Sequence, residues 1–215
     1  MNHILRMFKQ EDTSLLLTFI EKTIKKYGLI KCGKDAYTKI REDYNRKYRD
    51  KNKAYWYLYV VILYGFQQQL RFNSSYYFNN PVGESGYSDS VKEKIVSFSR
   101  RLKEMDAEFH IGDYKEIDGL IDADSLVYVD PPYLITLGSY NDGKRGFNGW
   151  NAQEEVRLLS YLDSLLTRGC KVIISNLLEY KGLQNNYLYE WVGNHNVEII
   201  QTTFRGRNET LIIAQ

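Results

Sequence analysis

The sequence predicts an α/β protein with a helical, basic first half and a mostly parallel sheet in its second half. Short β-rich runs alternate with one strong helix beyond residue 106, as in βαβ units. Residues 1–110 carry 20 Lys and Arg against 13 Asp and Glu, and residues 111–215 carry 9 against 14, so their net charges are +7 and −5. Apolar residues make up 43%, and no apolar run approaches the roughly 20 residues that span a bilayer, so a globular protein is expected and a membrane-spanning one is not.

Periodicity and turn residues place the elements of the first half. In residues 14–27, Leu16, Ile20 and Ile24 recur at helical spacing, and Gly28 suits the end of that helix. The apolar aromatic run 54–66 is too short to cross a membrane and fits a buried helix or strand. The predicted elements are helices over 14–27, about 35–49 and about 91–105, a helix or strand over 54–66, and a β-hairpin or ordered loop over 71–88.

The second half contains five β-rich runs and one helix. The helix begins after Asn151, with Glu154 in capping-box spacing, and Gly169 is its predicted stop. The last two runs are joined only by RGRN at 205–208, which predicts an antiparallel hairpin at the C-terminal edge. The predicted strands are AEFHI (107–111), SLVYV (125–129), CKVIIS (170–175), NVEIIQTTF (196–204) and ETLIIAQ (209–215).

The excess positive charge is densest in residues 22–53, where 12 basic and 4 acidic residues are interleaved with aromatics. This pattern indicates a polyanion partner, with a solvated helical face as the alternative. Cys32 and Cys170 lie far apart and lack metal-ligand spacing, which favours a reducing cytoplasm and argues against a disulfide framework or a metal site.

One tetrapeptide, Asp130-Pro131-Pro132-Tyr133, stands at the end of the predicted SLVYV strand, where open α/β sheets bind ligands. A carboxylate is an acceptor when ionised, and each proline holds the residue before it extended, so Asp130 and the Pro131 carbonyl can aim two acceptors at one amino group. Tyr133 offers a flat face on which a flipped base can stack. This suits a weakly nucleophilic amine such as that of adenine; the plain alternative is a strand stopped by prolines.

Four segments together carry a resemblance to a known family. VYVDPPY (127–133), RFNSSYYFNNPVG (71–83), KIREDYN (39–45) and ISN (174–176) resemble Dam-type (group alpha) N6-adenine DNA methyltransferases, and most of all their phage Dam-like members. The resemblance implies a Rossmann-like methyltransferase sheet with an inserted, mainly helical DNA-recognition subdomain. It also implies methyl transfer from S-adenosyl-L-methionine to the amino group of a flipped adenine in double-stranded DNA, without a metal, in the cytoplasm of a bacterial or phage-infected cell.

The resemblance also implies domains and site residues. Residues 1–29 would be a helix of the catalytic domain, 30–105 the target-recognition subdomain with the hairpin 71–88, and 106–215 the catalytic domain. The catalytic residues would be Asp130, Pro131, Pro132 and Tyr133; the cofactor-binding residues His110, Ile111, Asp113, Asp130 and Tyr140; and the DNA-binding residues Phe66, Arg71, Asn73, Phe78, Asn79 and Pro81.

The chain departs from the family pattern in two places. Glu84 and Ser85 stand where relatives carry basic residues after the hairpin, so the target site is expected to differ. The glycine turn that cradles the cofactor in the family has no counterpart, which predicts an N-terminally truncated sheet. We therefore expect an upstream extension lost by the choice of Met1, a second chain that supplies this segment, or a degenerate relic. The alternatives to DNA methylation are a catalytically silent DNA-binding or assembly subunit and methylation of RNA or of a protein amide.

Overall fold

The computed structural model describes residues 1–139, 150–204 and 207–215. These residues form two compact units, Met1–Gly112 and Asp113–Gln215. The predicted residue Tyr140 and the segment 142–149 lie outside the described residues, as do 205 and 206 in the predicted C-terminal link.

The first unit is helical, as predicted. Asp12 begins the second helix by accepting a hydrogen bond from Ser14 N at 2.7 Å, and Gly28 ends it with a φ of 66°, a left-handed conformation that glycine adopts without strain. The ambiguous run 54–66 forms a helix. The helices are α1 (Asn2–Gln10), α2 (Thr13–Tyr27), α3 (Lys34–Asp43), continued by a π-helical turn (Tyr44–Tyr48), α4 (Ala54–Tyr64) and α5 (Asp89–Glu104).

Helix α4 lies at the centre of this unit. It is apolar all round, and α1, α2 and α3 pack against it, which is why it shows no polar face. Because α1 and α2 pack with α4 and α5, residues 1–29 lie in the same unit as 30–105. The functional assignment of residues 1–29 to a catalytic domain stays a prediction.

Two extended segments of the first unit lack regular strand pairing. A short 3₁₀ helix (Phe66–Gln68) follows α4, and beyond it the pairing up to Ser88 consists of the isolated antiparallel bridges Phe72–Phe78 and Gly65–Val82, so this region is an ordered loop with short hairpin pairing. The prediction of a strand over AEFHI (107–111) is wrong for this structure, which assigns no strand there.

Side chains of α1 take the place of a strand partner for AEFHI. Lys9 donates to the carbonyl of Ala107 at 2.5 Å, Arg6 donates to that of Phe109 at 2.5 Å, and Asn2 donates to that of His110. These carbonyls are therefore satisfied without a sheet.

The second unit contains the sheet. Asn151 caps α6 by accepting from the amides of Gln153 at 2.8 Å and Glu154 at 3.1 Å, and Gly169 follows its end with a φ of 92°, both as predicted. The elements are a 3₁₀ helix (Tyr114–Leu120), β1 (Leu126–Val129), a 3₁₀ helix (Leu134–Ser139), α6 (Ala152–Thr167), β2 (Lys171–Asn176), β3 (Glu179–Tyr180), β4 (Leu183–Gln184), α7 (Asn186–Gly193), β5 (Val197–Phe204) and β6 (Arg207–Ala214).

The sheet is mixed, in the order β1-β2-β6-β5. Strands β1 and β2 pair in parallel, with Val127 opposite Val172, as expected for a crossover through α6. The other two pairings are antiparallel, so the prediction of a mostly parallel sheet is wrong for the described residues. The predicted C-terminal hairpin is present at one edge of the sheet, with β6 between β2 and β5.

Strand β1 forms one edge of this sheet within the described residues. Leu126 and Tyr128 on this strand are 62% and 59% exposed, whereas Val172 and Ile174 on β2 are buried. The core of the second unit is built from α6, β2, α7 and β6. The two units and their mixed sheet constitute an α/β architecture compatible with a methyltransferase fold.

Candidate functional site

Asp130-Pro131-Pro132-Tyr133 follows β1 directly, as predicted. Asp130 and Pro132 are exposed, Pro131 is buried and Tyr133 is half-buried. Because β1 and β2 are parallel, their carboxyl ends meet at the same edge of the sheet. At this edge the Tyr133 hydroxyl and Ser175 Oγ, near the end of β2, lie 3.1 Å apart and share a hydrogen bond. The parallel pairing therefore brings the tetrapeptide beside the ISN segment.

Further contacts hold Tyr133 in place. Its carbonyl accepts from Thr136 N at 2.9 Å and from Thr136 Oγ1 at 3.0 Å, which closes a turn. Burial raises the pKa of the Tyr133 hydroxyl above its ordinary value, and the charges of Asp130 and Glu209 raise it further, while the Ser175 hydrogen bond lowers it. The hydroxyl thus stays protonated near an exposed carboxylate.

The predicted cofactor residues of the first unit lie on the segment that α1 holds. His110 Nε2 lies 3.0 Å from Glu108 Oε2, and the Ile111 side chain is 64% exposed. An open cavity of about 670 Å³ runs along this segment, and Arg6 and Lys9 of α1 line its other side.

The predicted cofactor residue Asp113, in the second unit, is already engaged. Its Oδ1 accepts from Lys115 N at 3.0 Å, and its Oδ2 lies 2.8 Å from the Arg157 guanidinium. The Arg157 hydrogen bond, above all, holds the pKa of Asp113 below its ordinary value. The neighbouring Tyr114 hydroxyl is buried without a hydrogen-bond partner among the described residues. Asp113 fits a nucleoside cofactor only in part, because the carboxylate that would bind its polar groups is already paired with Arg157.

The six predicted DNA-binding residues lie in one region of the first unit, around the ordered loop. Phe66 is 47% exposed, and Arg71 and Pro81 are also exposed. The Phe66 amide donates to the Pro81 carbonyl at 2.8 Å, which joins the end of α4 to the far side of the loop.

The other three residues hold the loop together in this structure. Asn73 Oδ1 accepts from the amides of Ser75 at 3.0 Å and Tyr77 at 2.9 Å and thereby forms the turn. Phe78 is 1% exposed and packs in the core, and Asn79 Oδ1 is buried without a partner among the described residues. Direct DNA contact by these side chains stays a prediction, and the Phe78 ring has no exposed surface here to make it.

The described residues contain neither a cluster of metal ligands nor a membrane-spanning helix. No group of three or more His, Cys, Asp or Glu is arranged to hold a metal ion. No helix in this part of the chain has the length and apolarity to cross a membrane.

The sequence matches a family model described as D12 class N6 adenine-specific DNA methyltransferase over residues 7–204. The chain belongs to this family. The match includes the Asp-Pro-Pro-Tyr loop and the ordered loop, so the Dam-type resemblance is confirmed.

Curated proteins similar to the chain are methyltransferases or methylases by name. The chain is 37% identical to the Type II methyltransferase M.FokI of Planomicrobium okeanokoites over 98% of this chain and 33% of that protein. It is 36% identical to the Modification methylase LlaI of Lactococcus lactis subsp. lactis over 91% of this chain and 31% of that protein. It is 26% identical to the DNA adenine methylase of Escherichia coli (strain K12) over 66% of this chain and 50% of that protein. The chain thus spans about a third of the length of the first two relatives.

Sequence reasoning missed several residues that shape this D12 site. Ser175 belongs to the quoted ISN segment but carried no predicted role, and its contact with Tyr133 joins residues 42 positions apart. Arg157 on α6 was not expected at Asp113. Asn45 could have been singled out from the sequence, because it is the last residue of the KIREDYN segment. The structure places it against the ordered loop.

Proposed function

We propose that this chain is the catalytic and recognition part of a DNA adenine methyltransferase that transfers a methyl group to the exocyclic amine of a flipped adenine in duplex DNA. The observation that carries the proposal is the Asp-Pro-Pro-Tyr loop at the carboxyl end of β1, in a chain of the D12 class. We place this activity in restriction–modification, inside the cell where the DNA lies, because similar proteins are named a Type II methyltransferase and a modification methylase.

In this proposal the loop raises the reactivity of a poor nucleophile. The lone pair of the adenine amine is delocalised into the ring, so the amine needs two acceptors for its hydrogens as the nitrogen attacks. The exposed Asp130 carboxylate and the Pro131 carbonyl supply them, and burial of the Pro131 ring keeps the backbone between them fixed. Little reorganisation is then needed when charge develops on the amine.

Tyr133 would stack on the flipped base. Its hydroxyl is held by Ser175 and its carbonyl by Thr136, so the ring has little freedom to turn away. Unstacking a base during flipping costs a few kcal/mol. Stacking of the flipped base on a ring that is already held in place offsets part of this free energy without a further loss of side-chain entropy.

S-adenosyl-L-methionine is the methyl donor that the family implies, and it would supply an electrophilic methyl group. The residues that the family implies for contact with its adenosine are His110, Ile111, Asp113 and Tyr140, and Asp113 could take that role only when Arg157 releases its carboxylate. We further propose that an additional strand, in cis or from a second chain, pairs with the open edge of β1 and completes the cofactor pocket. The position of β1 at the end of the strand order among the described residues supports this, and the exposed Leu126 and Tyr128 show that one face of β1 is also uncovered.

A catalytically silent DNA-binding subunit is the second candidate. The engagement of Asp113 by Arg157 favours it, because an incomplete cofactor site leaves only DNA recognition. A supplemented preparation separates the two candidates. It consists of this chain mixed with roughly 40–60 residues, the scale of one βαβ unit, taken from the cofactor-binding region of a D12 relative. Methyl transfer by the supplemented preparation supports the enzyme, whereas DNA binding without transfer supports the silent subunit.

The direct test of the proposed chemistry is Asp130→Ala in the supplemented preparation. We expect loss of tritium transfer from labelled cofactor to duplex DNA with nearly unchanged DNA affinity, because the carboxylate acts on the amine and not on phosphates. Asp124→Ala, another exposed aspartate before β1, is the matched control and should retain transfer. Equal transfer by Asp130→Ala and wild type would refute the proposed role.

A further inference from the structure

A stripe of polar side chains runs along one face of α3 and the π-helical turn. Its members are Tyr37, Arg41, Asn45 and Arg49, each four residues after the last, which places successive members on neighbouring turns. Residues 76–80 of the ordered loop lie against this stripe. Arg41 and Asn45 of this stripe belong to KIREDYN (39–45), so two of the segments that carry the family resemblance contact each other in the structure.

Asn45 pairs with the loop as a strand would. Its Nδ2 donates to the Phe78 carbonyl at 2.9 Å, and its Oδ1 accepts from the Phe78 amide at 2.8 Å. One carboxamide thus satisfies both backbone groups of Phe78, which is the pairing that a residue in an antiparallel ladder would provide. Because Phe78 is buried, leaving these groups without a partner would be costly.

A second anchor lies two residues further along the loop. The Asn80 carbonyl accepts from the Tyr37 hydroxyl at 2.8 Å and from the Arg41 guanidinium at 3.0 Å. Burial raises the pKa of Tyr37 to about 12, so its hydroxyl remains a donor at neutral pH. The Arg41 guanidinium lies 5.7 Å from the centre of the Tyr37 ring, within range of a cation–π contact.

A third, longer contact reaches the tip of the loop. Arg49 donates to the Tyr76 carbonyl at 3.4 Å, and its guanidinium lies 5.2 Å from the centre of the Tyr77 ring. The Arg49 amide bonds to the Tyr44 carbonyl, five residues back, so the turn between Asn45 and Arg49 is wider than an α-helical one. The stripe therefore contacts the carbonyls of residues 76, 78 and 80, every second residue of an extended segment.

The opposite side of the loop is fixed to the end of α4. Asn80 Nδ2 donates to the Phe66 carbonyl at 2.9 Å, and the Gly83 amide donates to the Tyr64 carbonyl at 2.8 Å. Gly83 has no room for a side chain, because an added Cβ would lie 2.5 Å from the Gly65 carbonyl oxygen. With its backbone fixed on both sides, the loop presents exposed side chains in set positions, among them Phe66, Gln67, Gln68, Arg71, Tyr76 and Tyr77.

We propose that Arg41 and Asn45 are positioning residues for DNA sequence selectivity, which act through the backbone of residues 76–80 without contacting DNA. This inference rests on the proposed function, because it assumes that the loop reads DNA. Base-edge contacts depend on the position of the reading side chains, whereas phosphate contacts tolerate displacement and carry no sequence information. Release of the loop should therefore reduce selectivity and leave general affinity in place.

The experiment uses this chain and a library of DNA duplexes with a randomised central segment. The wild type should enrich one sequence motif over the unselected library. Asn45→Ala and Arg41→Met should lose about 10-fold or more of that enrichment, the scale of one bidentate base contact. Their affinity for the unselected library and the slope of log affinity against log salt should stay close to those of the wild type.

Three further measurements separate positioning from loss of fold or of charge. Amide exchange at Phe78 should become faster in Asn45→Ala, while thermal unfolding shows that each variant is folded. Arg41→Lys, which keeps a donor for the Asn80 carbonyl, should recover part of the enrichment. Arg46→Met removes one exposed arginine from the same helical segment and should keep the motif, with at most about 0.9 lost from the salt slope.

Each outcome decides the inference. If the wild type enriches a motif and Arg41→Met, folded, enriches it equally, the positioning role is wrong while DNA recognition stands. If the wild type enriches no motif, DNA recognition by this chain fails, and the positioning role fails with it. If Asn45→Ala does not fold, Arg41→Met and its Arg41→Lys rescue carry the test alone.

Discussion

The hydrogen bond between Tyr133 and Ser175 gives a quantitative test of how the proposed catalytic loop is held. Tyr133→Phe removes the hydroxyl and keeps the ring, and Ser175→Ala removes the partner. Both side chains lie at the carboxyl edge of the parallel β1–β2 pair, and their oxygens are 3.1 Å apart. If Ser175 acts only through this bond, Ser175→Ala should slow methyl transfer no more than Tyr133→Phe, which also removes the interaction of the hydroxyl with the Asp130 carboxylate.

The expected size follows from the kind of bond. A neutral, partly buried hydrogen bond contributes about 1 kcal/mol net, and 1.36 kcal/mol corresponds to tenfold in rate, so Ser175→Ala should slow transfer about fivefold and Tyr133→Phe at least as much. Tyr133→Ala also removes the stacking face, which is worth roughly 1–3 kcal/mol, a further loss of roughly 5- to 150-fold. Because the pKa of Tyr133 is raised, the effect of Tyr133→Phe should be constant between pH 6 and 9, where the hydroxyl stays protonated.

The assay is single-turnover methyl transfer by the supplemented preparation, with both single variants and the double variant. In the Tyr133→Phe background, Ser175→Ala should have little further effect, because the bond is already gone. Ser164→Ala, on the exposed face of α6, is the control and should leave the rate unchanged. Additive effects of Tyr133→Phe and Ser175→Ala would refute the reasoning, since Ser175 would then act by another route.

Two further predictions concern the second unit. Asn185→Ala should lower the free energy of unfolding, measured in urea, by roughly 2–4 kcal/mol, because Asn185 caps α7 and also donates to the buried Glu155 at 2.7 Å. The control is Asn196→Ala at an exposed position, which should change this free energy by less than about 0.5 kcal/mol. Arg157→Ala should raise the pKa of Asp113 toward its ordinary 3.8, as followed by NMR titration. The lowered pKa in the wild type stabilises the fold above pH 3.8, and this contribution is lost as the pH falls further. If the pKa of Asp113 in the variant equals that in the wild type, the pairing with Arg157 is contradicted.

Local signals predicted the helices and the C-terminal hairpin, and they failed on the order of the strands in the sheet. The caps at Asp12 and Asn151 and the stops at Gly28 and Gly169 depend on residues a few positions away, and the structure has helices with those limits. The order β1-β2-β6-β5 depends on which strand lies beside which, and nothing in the composition of β6 shows that it inserts next to β2. The short strands β3 and β4 and helix α7 were missed for a related reason, since they are brief and stabilised by contacts with the rest of the second unit.

The candidate site shows the same division between local and distant information. Asp130 and Tyr133 could be predicted because their chemistry is contained in four consecutive residues after a strand. The contacts that hold them and the ordered loop join residues far apart in sequence: Tyr133 with Ser175 across 42 positions and Asn45 with Phe78 across 33. A single sequence carries no signal for such pairs.

The wrong strand at AEFHI and the irregular loop before Ser88 have one physical cause. An extended segment needs partners for its carbonyls and amides, but a strand is not the only source of them. In both places a neighbouring helix supplies side-chain donors instead: α1 through Arg6 and Lys9, and α3 with its π-helical turn through Arg41 and Asn45. In the ordered loop the other side of the backbone bonds to the end of α4 and to residues 71 and 73, so this segment is fixed on both sides without joining a sheet. If the loop presents side chains to DNA, as proposed, that arrangement fixes the positions from which they act.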